Sequence, residues 1–173
     1  ITNSKKRSRM NLNVEIGFFY KYLYNFITLS ISKTDPQQYT NINIGEYSTF
    51  GNQVNAGIKY KGLSLNAGIS YIGRFNNLAR SYDDVPSYNF SPECRFNTTY
   101  NSSKHNYSLS LFFKYNGKRN GFFISGDEIS ESLIEAYNQM DFNMTKKFVN
   151  NKIIFTLGVK NILNVQDVVS TYG

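Results

Sequence analysis

Apolar and polar residues alternate with period two along most of this chain, and helical periodicity is scarce. The alternation predicts eight strands, at residues 11–22, 26–32, 51–60, 63–73, 90–100, 107–115, 136–147 and 152–161. In the first, Val14, Ile16, Phe18 and Tyr20 share one face, while Asn13, Glu15, Gly17 and Lys21 share the other. In the fourth, Leu65, Ala67, Ile69 and Tyr71 oppose Ser64, Asn66, Gly68 and Ser70. The last sets Ile153, Phe155, Leu157 and Val159 against Thr156, Gly158 and Lys160. Most of these runs are near the roughly 9–11 residues that cross a bilayer when tilted.

The links between the runs alternate in length. Short turns are predicted near 23–24, 61–62, 101–106 and 149–151, and longer loops near 33–49, 74–89 and 116–135. Successive hairpins turn at opposite ends, so every short turn falls on one rim and every long loop on the other. Outer-membrane barrels have that asymmetry, and a β-sandwich offers no physical reason for it. Unpaired strand edges cannot lie in lipid. Eight strands therefore close on themselves or belong to a larger array. The chain starts in a basic, loop-like segment and ends at 168–173 in a polar stretch without a closing aromatic strand, so the expectation is a piece of a larger barrel. At an offset of 40 residues Val14, Gly17, Tyr20 and Lys21 match Val54, Gly57, Tyr60 and Lys61. That echo reads either as a repeated strand pair or as convergent strand composition.

Composition sharpens the difference between the faces. The 173 residues include 14 Tyr and 14 Phe but no Trp. Tyr20, Tyr60, Tyr71, Tyr107 and Tyr115 fall near strand ends, where a ring can sit dry and its hydroxyl wet. The second face is Asn, Ser, Thr, Lys, Gln and Gly, too polar for the packed interior of a small barrel. A wide hydrated lumen is expected. Two alternatives stay open here: a complete eight-stranded structural or adhesive outer-membrane barrel, and a soluble carbohydrate-binding β-sandwich whose second sheet covers the apolar face. A mean hydropathy of −0.42 does not separate them, because alternating strands average out. Apolar runs of only a few residues exclude a transmembrane helix.

One cysteine, Cys94, excludes an internal disulfide framework, and one histidine, His105, leaves no His-based metal centre or triad within this chain. No Walker, dinucleotide-binding or Ser-His-Asp pattern occurs, so the reading is non-enzymatic, with no cofactor and no metal. The net charge of +7 is spread over many strands and turns without a recognition module, which argues against nucleic acid as a partner.

The run DFNMTKKF at 141–148, followed by KIIFTLGVKNILNV at 152–165, resembles TonB-dependent outer-membrane receptors. In that family a strand of the form D-x-x-x-x-K-x-F precedes one ending G-x-x-N-L-F-N-V. Here Ile162 and Leu163 stand in place of the usual Leu-Phe. The runs KYNGKR at 114–119, FSP at 90–92 and NIG at 43–45 are similar to other strands of the family. The resemblance implies an all-β, transmembrane antiparallel barrel of the 22-stranded type around a plug. Residues 1–173 would form a partial barrel domain, about eight strands, without the plug domain or the last strand. It further implies a receptor in the bacterial outer membrane that imports a scarce nutrient of the siderophore-iron, haem or cobalamin type. The implied partners are membrane lipid and lipopolysaccharide, the plug domain of the same receptor, the TonB energising complex and a surface lipoprotein.

Long loops on a rigid barrel are where a ligand is captured. One carries Arg74, Arg80, Tyr82, Asp83 and Asp84; another carries Arg119, Phe122, Phe123, Asp127 and Glu128. Arginines and aromatics pair with and stack on ligands. Asp83 and Asp84 alone fall short of the six to eight oxygens that calcium takes. The predicted topology puts Lys5, Lys6, Arg7 and Arg9 at the outer rim, facing lipopolysaccharide phosphates or solvent. Cys94 is expected on the lipid-facing side, and His105 in an exposed turn.

Overall fold

The computed structural model describes residues 10–32, 39–76, 88–125, 128–166 and 169–170. Among the described residues the protein is all-β, with 77% strand and no helix. In chain order the strands are β1 (Asn11–Leu23), β2 (Ile27–Ser32), β3 (Tyr39–Asn43), β4 (Tyr47–Tyr60), β5 (Leu63–Asn76), β6 (Asn89–Ser102), β7 (Tyr107–Asn116), β8 (Arg119–Ser125), β9 (Glu128–Ile134), β10 (Tyr137–Phe148), β11 (Ile153–Val159) and β12 (Val169–Ser170). They form a seven-stranded sheet, in the order β1-β4-β5-β6-β7-β10-β11, and a five-stranded sheet, β12-β9-β8-β2-β3. Among the described residues neither sheet closes into a ring.

Register shows that the second sheet continues the first. Leu23 lies opposite Tyr47, and past a kink Ile27 lies opposite Asn43, with no residue gained or lost on either arm. The β7/β10 pair behaves alike: Tyr137 opposes Asn116, then Arg119 opposes Ile134, and Lys118 and Glu135 form an ion pair of 2.7 Å at the junction. The molecule thus has two storeys built from the same long arms.

This corrects the predicted strand 26–32 and the predicted turn at 23–24. Residues 26–32 do not form a separate wall strand; β2 prolongs β1. Asn25 (φ 51°) and Gly45 (φ 73°) take left-handed conformations on the facing arms. In sequence such a residue looks like a hairpin turn, but here it only bends a ladder that continues. The Phe26 N–H donates to the Gly45 carbonyl at 2.9 Å, and the Ile44 N–H to the Phe26 carbonyl at 3.0 Å. Phe26 stacks on Tyr47 with ring centroids 4.6 Å apart. The lower storey consequently has seven strands rather than eight, and β1 runs opposite to the expected direction. The 40-residue echo is resolved too. Antiparallel neighbours β1 and β4 place Val14 opposite Ala56, so they share composition and are not a repeated strand pair.

The remaining short turns lie on one rim, as the alternation predicts: 61–62, 103–106 and 149–152. Gly62 is required there, since a Cβ would stand 2.1 Å from the Asn101 carbonyl oxygen. Beyond the kinks the first and third hairpins converge. In the lower storey β4, β5 and β6 separate β1 from β7, yet β2 pairs with β8 in parallel, Ile31 opposite Phe123 and Ser32 opposite Ile124. Hydrophobic burial among the described residues is confined to Ile42, Ile44 and Phe75, on or next to the strand segments adjoining the storey junction.

Candidate functional site

The lower storey has two faces of opposite chemistry. Leu12, Ile58, Leu65, Thr98, Leu111, Phe142 and Val159 lie side by side in one row across all seven strands. The next row on the same face is Val14, Ala56, Ala67, Phe96, Phe113 and Met140, and the next Ile16, Val54, Ile69, Cys94, Tyr115 and Asn138. Nothing among the described residues packs over the first strand of these rows: Leu12, Val14, Ile16 and Phe18 are between 61% and 82% exposed. Cys94 sits on this apolar face between Ile69 and Tyr115.

Aromatic rings border the rows at both ends. Phe50, Tyr71, Tyr88 and Phe90 gather toward the upper storey, with Tyr71 stacked on Phe90 at 5.3 Å and Phe50 edge-on to Phe90 at 5.4 Å. Tyr60, Tyr100 and Tyr107 border the short-turn rim, Tyr100 and Tyr107 being 6.0 Å apart. His105 is exposed in its turn, its ring over Tyr107 at 6.3 Å.

The opposite face is polar and knitted by side-chain hydrogen bonds. One row reads Glu15, Asn55, Gly68, Arg95, Lys114 and Gln139. Arg95 donates to Asn55 Oδ1 at 2.7 Å, Thr99 and Ser110 are 3.2 Å apart, and so are Thr145 and Thr156. Glycine makes room for this: a Cβ at Gly68 would meet Asn55 Oδ1 at 2.6 Å and Arg95 Nε at 2.7 Å. A hollow of about 390 Å³ on this side is lined by Asn13, Glu15, Asn55, Asn66, Arg95 and Asn97, with Phe112 beside them.

Above that hollow, near the storey junction, charges converge. Arg74 donates to Glu93 Oε1 at 2.8 Å, and Lys114 Nζ approaches Glu93 Oε2 at 3.7 Å. Arg119 joins from β8, where it and Arg74 both act on Tyr47. Burial raises the Tyr47 phenol above its usual range, and the two guanidinium groups pull it partly back. Tyr47 lies three residues beyond Phe50, outside the aromatic border. Arg74 Nη1, Arg119 Nε and Asn116 Nδ2 are buried donors without a hydrogen-bond partner. Buried donors normally have acceptors, and these three have none among the described residues.

Of the sequence candidates, Arg74 and Arg119 come together here. Neither is in a loop: Arg74 lies two residues before the end of β5 and Arg119 opens β8. Phe122 and Phe123 lie on β8 and Glu128 on β9 rather than in a loop. Arg80, Tyr82, Asp83, Asp84 and Asp127 fall outside the described residues, as do Lys5, Lys6, Arg7 and Arg9. The strand after that basic cluster enters at the short-turn rim, Asn11 opposite Lys59, which is the other rim from the one expected. Sequence reading missed Tyr47, Glu93, Lys114 and Asn116. The polar-face parity of Glu93 and Lys114 was visible, whereas Tyr47 and Asn116 fell in predicted loops, and the register that brings Glu93 of β6 to Arg74 of β5 was not visible.

The C-terminal motif has a physical basis. Asp141 Oδ1 accepts the Asn161 N–H at 2.8 Å. Asn161 (φ 51°) then clasps Val165 with its side chain, donating from Nδ2 to the carbonyl at 3.0 Å and accepting the N–H on Oδ1 at 2.9 Å. The aspartate that opens one strand of the motif thereby anchors the asparagine that ends the next. No protein-family model, curated protein or solved structure matches this chain.

Proposed function

We propose that this chain is part of the wall of an outer-membrane β-barrel, and that the barrel is a TonB-dependent receptor importing a scarce nutrient. The observation that carries this reading is the uncovered apolar face running across all seven lower strands, backed by a polar one. Leaving such a face in water costs roughly 1.5–3 kcal/mol for each fully exposed Leu, Ile, Val or Phe, far beyond what the small buried core returns. Contiguous apolar patches of this extent mark a surface that meets lipid or another protein. The aromatic borders favour lipid in this reading. Phe50 and Tyr60 are ten residues apart on β4, about 33 Å along a strand and about 25 Å across a sheet tilted by 40°, the height of an outer-membrane apolar band. The open edges β1 and β11 are then paired by further strands of the same barrel.

In this reading the polar face lines the lumen and holds a plug domain by hydrogen bonds. The corner of Arg74, Arg119, Lys114 and Tyr47 offers unpartnered donors to an oxygen-rich ligand, such as an iron chelate, or to the plug. The long links meet lipopolysaccharide and any surface lipoprotein, and the TonB complex supplies energy from the inner membrane. The resemblance at 141–165 favours iron, haem or cobalamin cargo.

Cys94 tests the wall. In cells making the intact protein, Cys94 is expected to resist a charged maleimide, whereas Asn97→Cys, in a Cys94→Ser background, reacts. Equal labelling of both positions from water overturns the membrane reading. Import is tested separately. Deleting the gene should slow growth under iron or cobalamin limitation as loss of the energising complex does, and unchanged uptake of all three cargo classes removes the receptor assignment.

A further inference from the structure

The charges of this chain are sorted between its two rims, and at the short-turn rim the polar face ends in lysines. Lys59 and Lys147 have the parity of that face, and Lys61 and Lys104 sit in the turns that close it. None of the 12 Asp and Glu precedes Glu15 or falls within 47–82, 94–126 or 142–166, the stretches that build this rim. Among the described residues the ion pairs are Arg74–Glu93, Lys114–Glu93 and Lys118–Glu135, all toward the storey junction. Lysines gathered without a carboxylate repel one another unless something anionic lies against them.

The band they edge is neutral and rich in hydrogen-bonding groups. Lys59, Ser64, Thr99, Ser110 and Asn143 lie side by side on neighbouring strands, and the next polar row toward the rim is Asn101, Ser108, Thr145 and Thr156. Two hollows open along this band. The larger, about 740 Å³, is lined by Lys59, Lys61 and Lys104 with Ser64 and Thr99. The smaller, about 280 Å³, is lined by Lys147 with Ser108 and Thr145. They share Asn101, Ser102 and Ser103, and so form one groove across the sheet. Lys59 on β4 and Lys147 on β10 stand four strand spacings apart, about 19 Å.

A single small anion cannot touch both ends of a groove that long. An extended polypeptide can, since about six residues at about 3.3 Å each cover the span. We propose that the groove holds an extended acidic segment of the domain that fills the lumen. Its carboxylates pair with Lys59, Lys104 and Lys147, and its peptide groups bond to the hydroxyls and amides between them. The occupant comes from the lumen because Lys59, Ser64, Thr99 and Lys147 belong to the polar face and not to the apolar one. The inference rests on the membrane reading above and names the chemistry of the plug surface at one rim.

The test treats the intact protein, in membrane fragments, with a water-soluble carbodiimide. The reagent activates a carboxylate for attack by a lysine amine in contact with it, and mass spectrometry reads the amides formed. Lys118 and Glu135, 2.7 Å apart, link within the chain and serve as the internal standard. Lys59, Lys104 and Lys147 are expected to link to Asp or Glu of the same protein outside residues 1–173. Replacing Lys59 and Lys147 together by Gln should lower the Lys104 link about fivefold, two exposed ion pairs being lost, while Lys160→Gln leaves it unchanged. The standard link without any from these three lysines overturns the proposal. Links to a separate protein overturn it too, since the occupant is then not the lumen domain, and so does an undiminished Lys104 link in the double variant. Recovery of the protein outside the membrane fraction instead overturns the membrane reading, whatever the links show.

Discussion

The two faces of the lower sheet share one backbone and differ in what they ask of a side chain. On the apolar side Leu, Ile, Val, Phe and Thr replace one another along a single row. Few of these side chains depend on a particular neighbour, and what matters is that the row carries no charge. On the polar side charge is welcome, because Glu15, Arg95 and Lys114 share a row, but volume is fixed by interlocking amides and glycines. One face is specified by its solvent and the other by its neighbours.

The largest effect should come from putting a charge on the wrong side. On the proposed membrane reading, Ile69→Arg places a guanidinium between the aromatic borders in lipid and should destabilise the protein by about 2–4 kcal/mol. Ser70→Arg, one residue along and on the opposite face, should cost about 0.5 kcal/mol or less. Urea unfolding from vesicles measures both. Similar costs for the two variants would mean that the faces are not in different media. A smaller effect reverses the test. Gly68→Val forces a branched side chain into Asn55 Oδ1 and Arg95 Nε and should cost about 1–3 kcal/mol as that pair separates. Ala67→Val, next along the chain but on the apolar face, should be nearly neutral. If Ala67→Val proves the costlier of the two, the polar face is not the interlocked one.

The same contrast explains what was legible beforehand. Period-two alternation located every strand of the lower storey, because a face wetted uniformly writes itself into the sequence at every second residue. The run 26–32 was also found as a strand but assigned to the wrong place. Alternation reports which way a side chain points, not which strand lies alongside, and the left-handed Asn25 imitates a turn. The strands β8 and β9 were read as loop, since Gly117, Gly121 and Gly126 interrupt their pattern. The candidate corner was half legible. Arg74 and Arg119 could be named from their type and position, but Glu93 and Tyr47 join them only through the register of β5 on its neighbours β4 and β6.

A third position belongs to neither face and isolates the backbone from both. Val149 opens the turn 149–152 with φ 47°, followed by Asn150 at 53° and Asn151 at 68°. A left-handed β-branched residue crowds its Cβ against the following carbonyl, a strain of about 1–2 kcal/mol that Asn relieves in part by bonding locally. Two of the three left-handed positions already hold Asn; the first does not. Val149 is 63% exposed, so it loses little packing on substitution. Val149→Asn is therefore expected to stabilise the protein by about 0.5–1 kcal/mol, with an unchanged denaturant slope because the surface exposed on unfolding is the same. Destabilisation by a similar amount would mean that the valine is held in the headgroup layer beside Phe148, and that the apolar face extends around the short-turn rim instead of ending at its aromatic border.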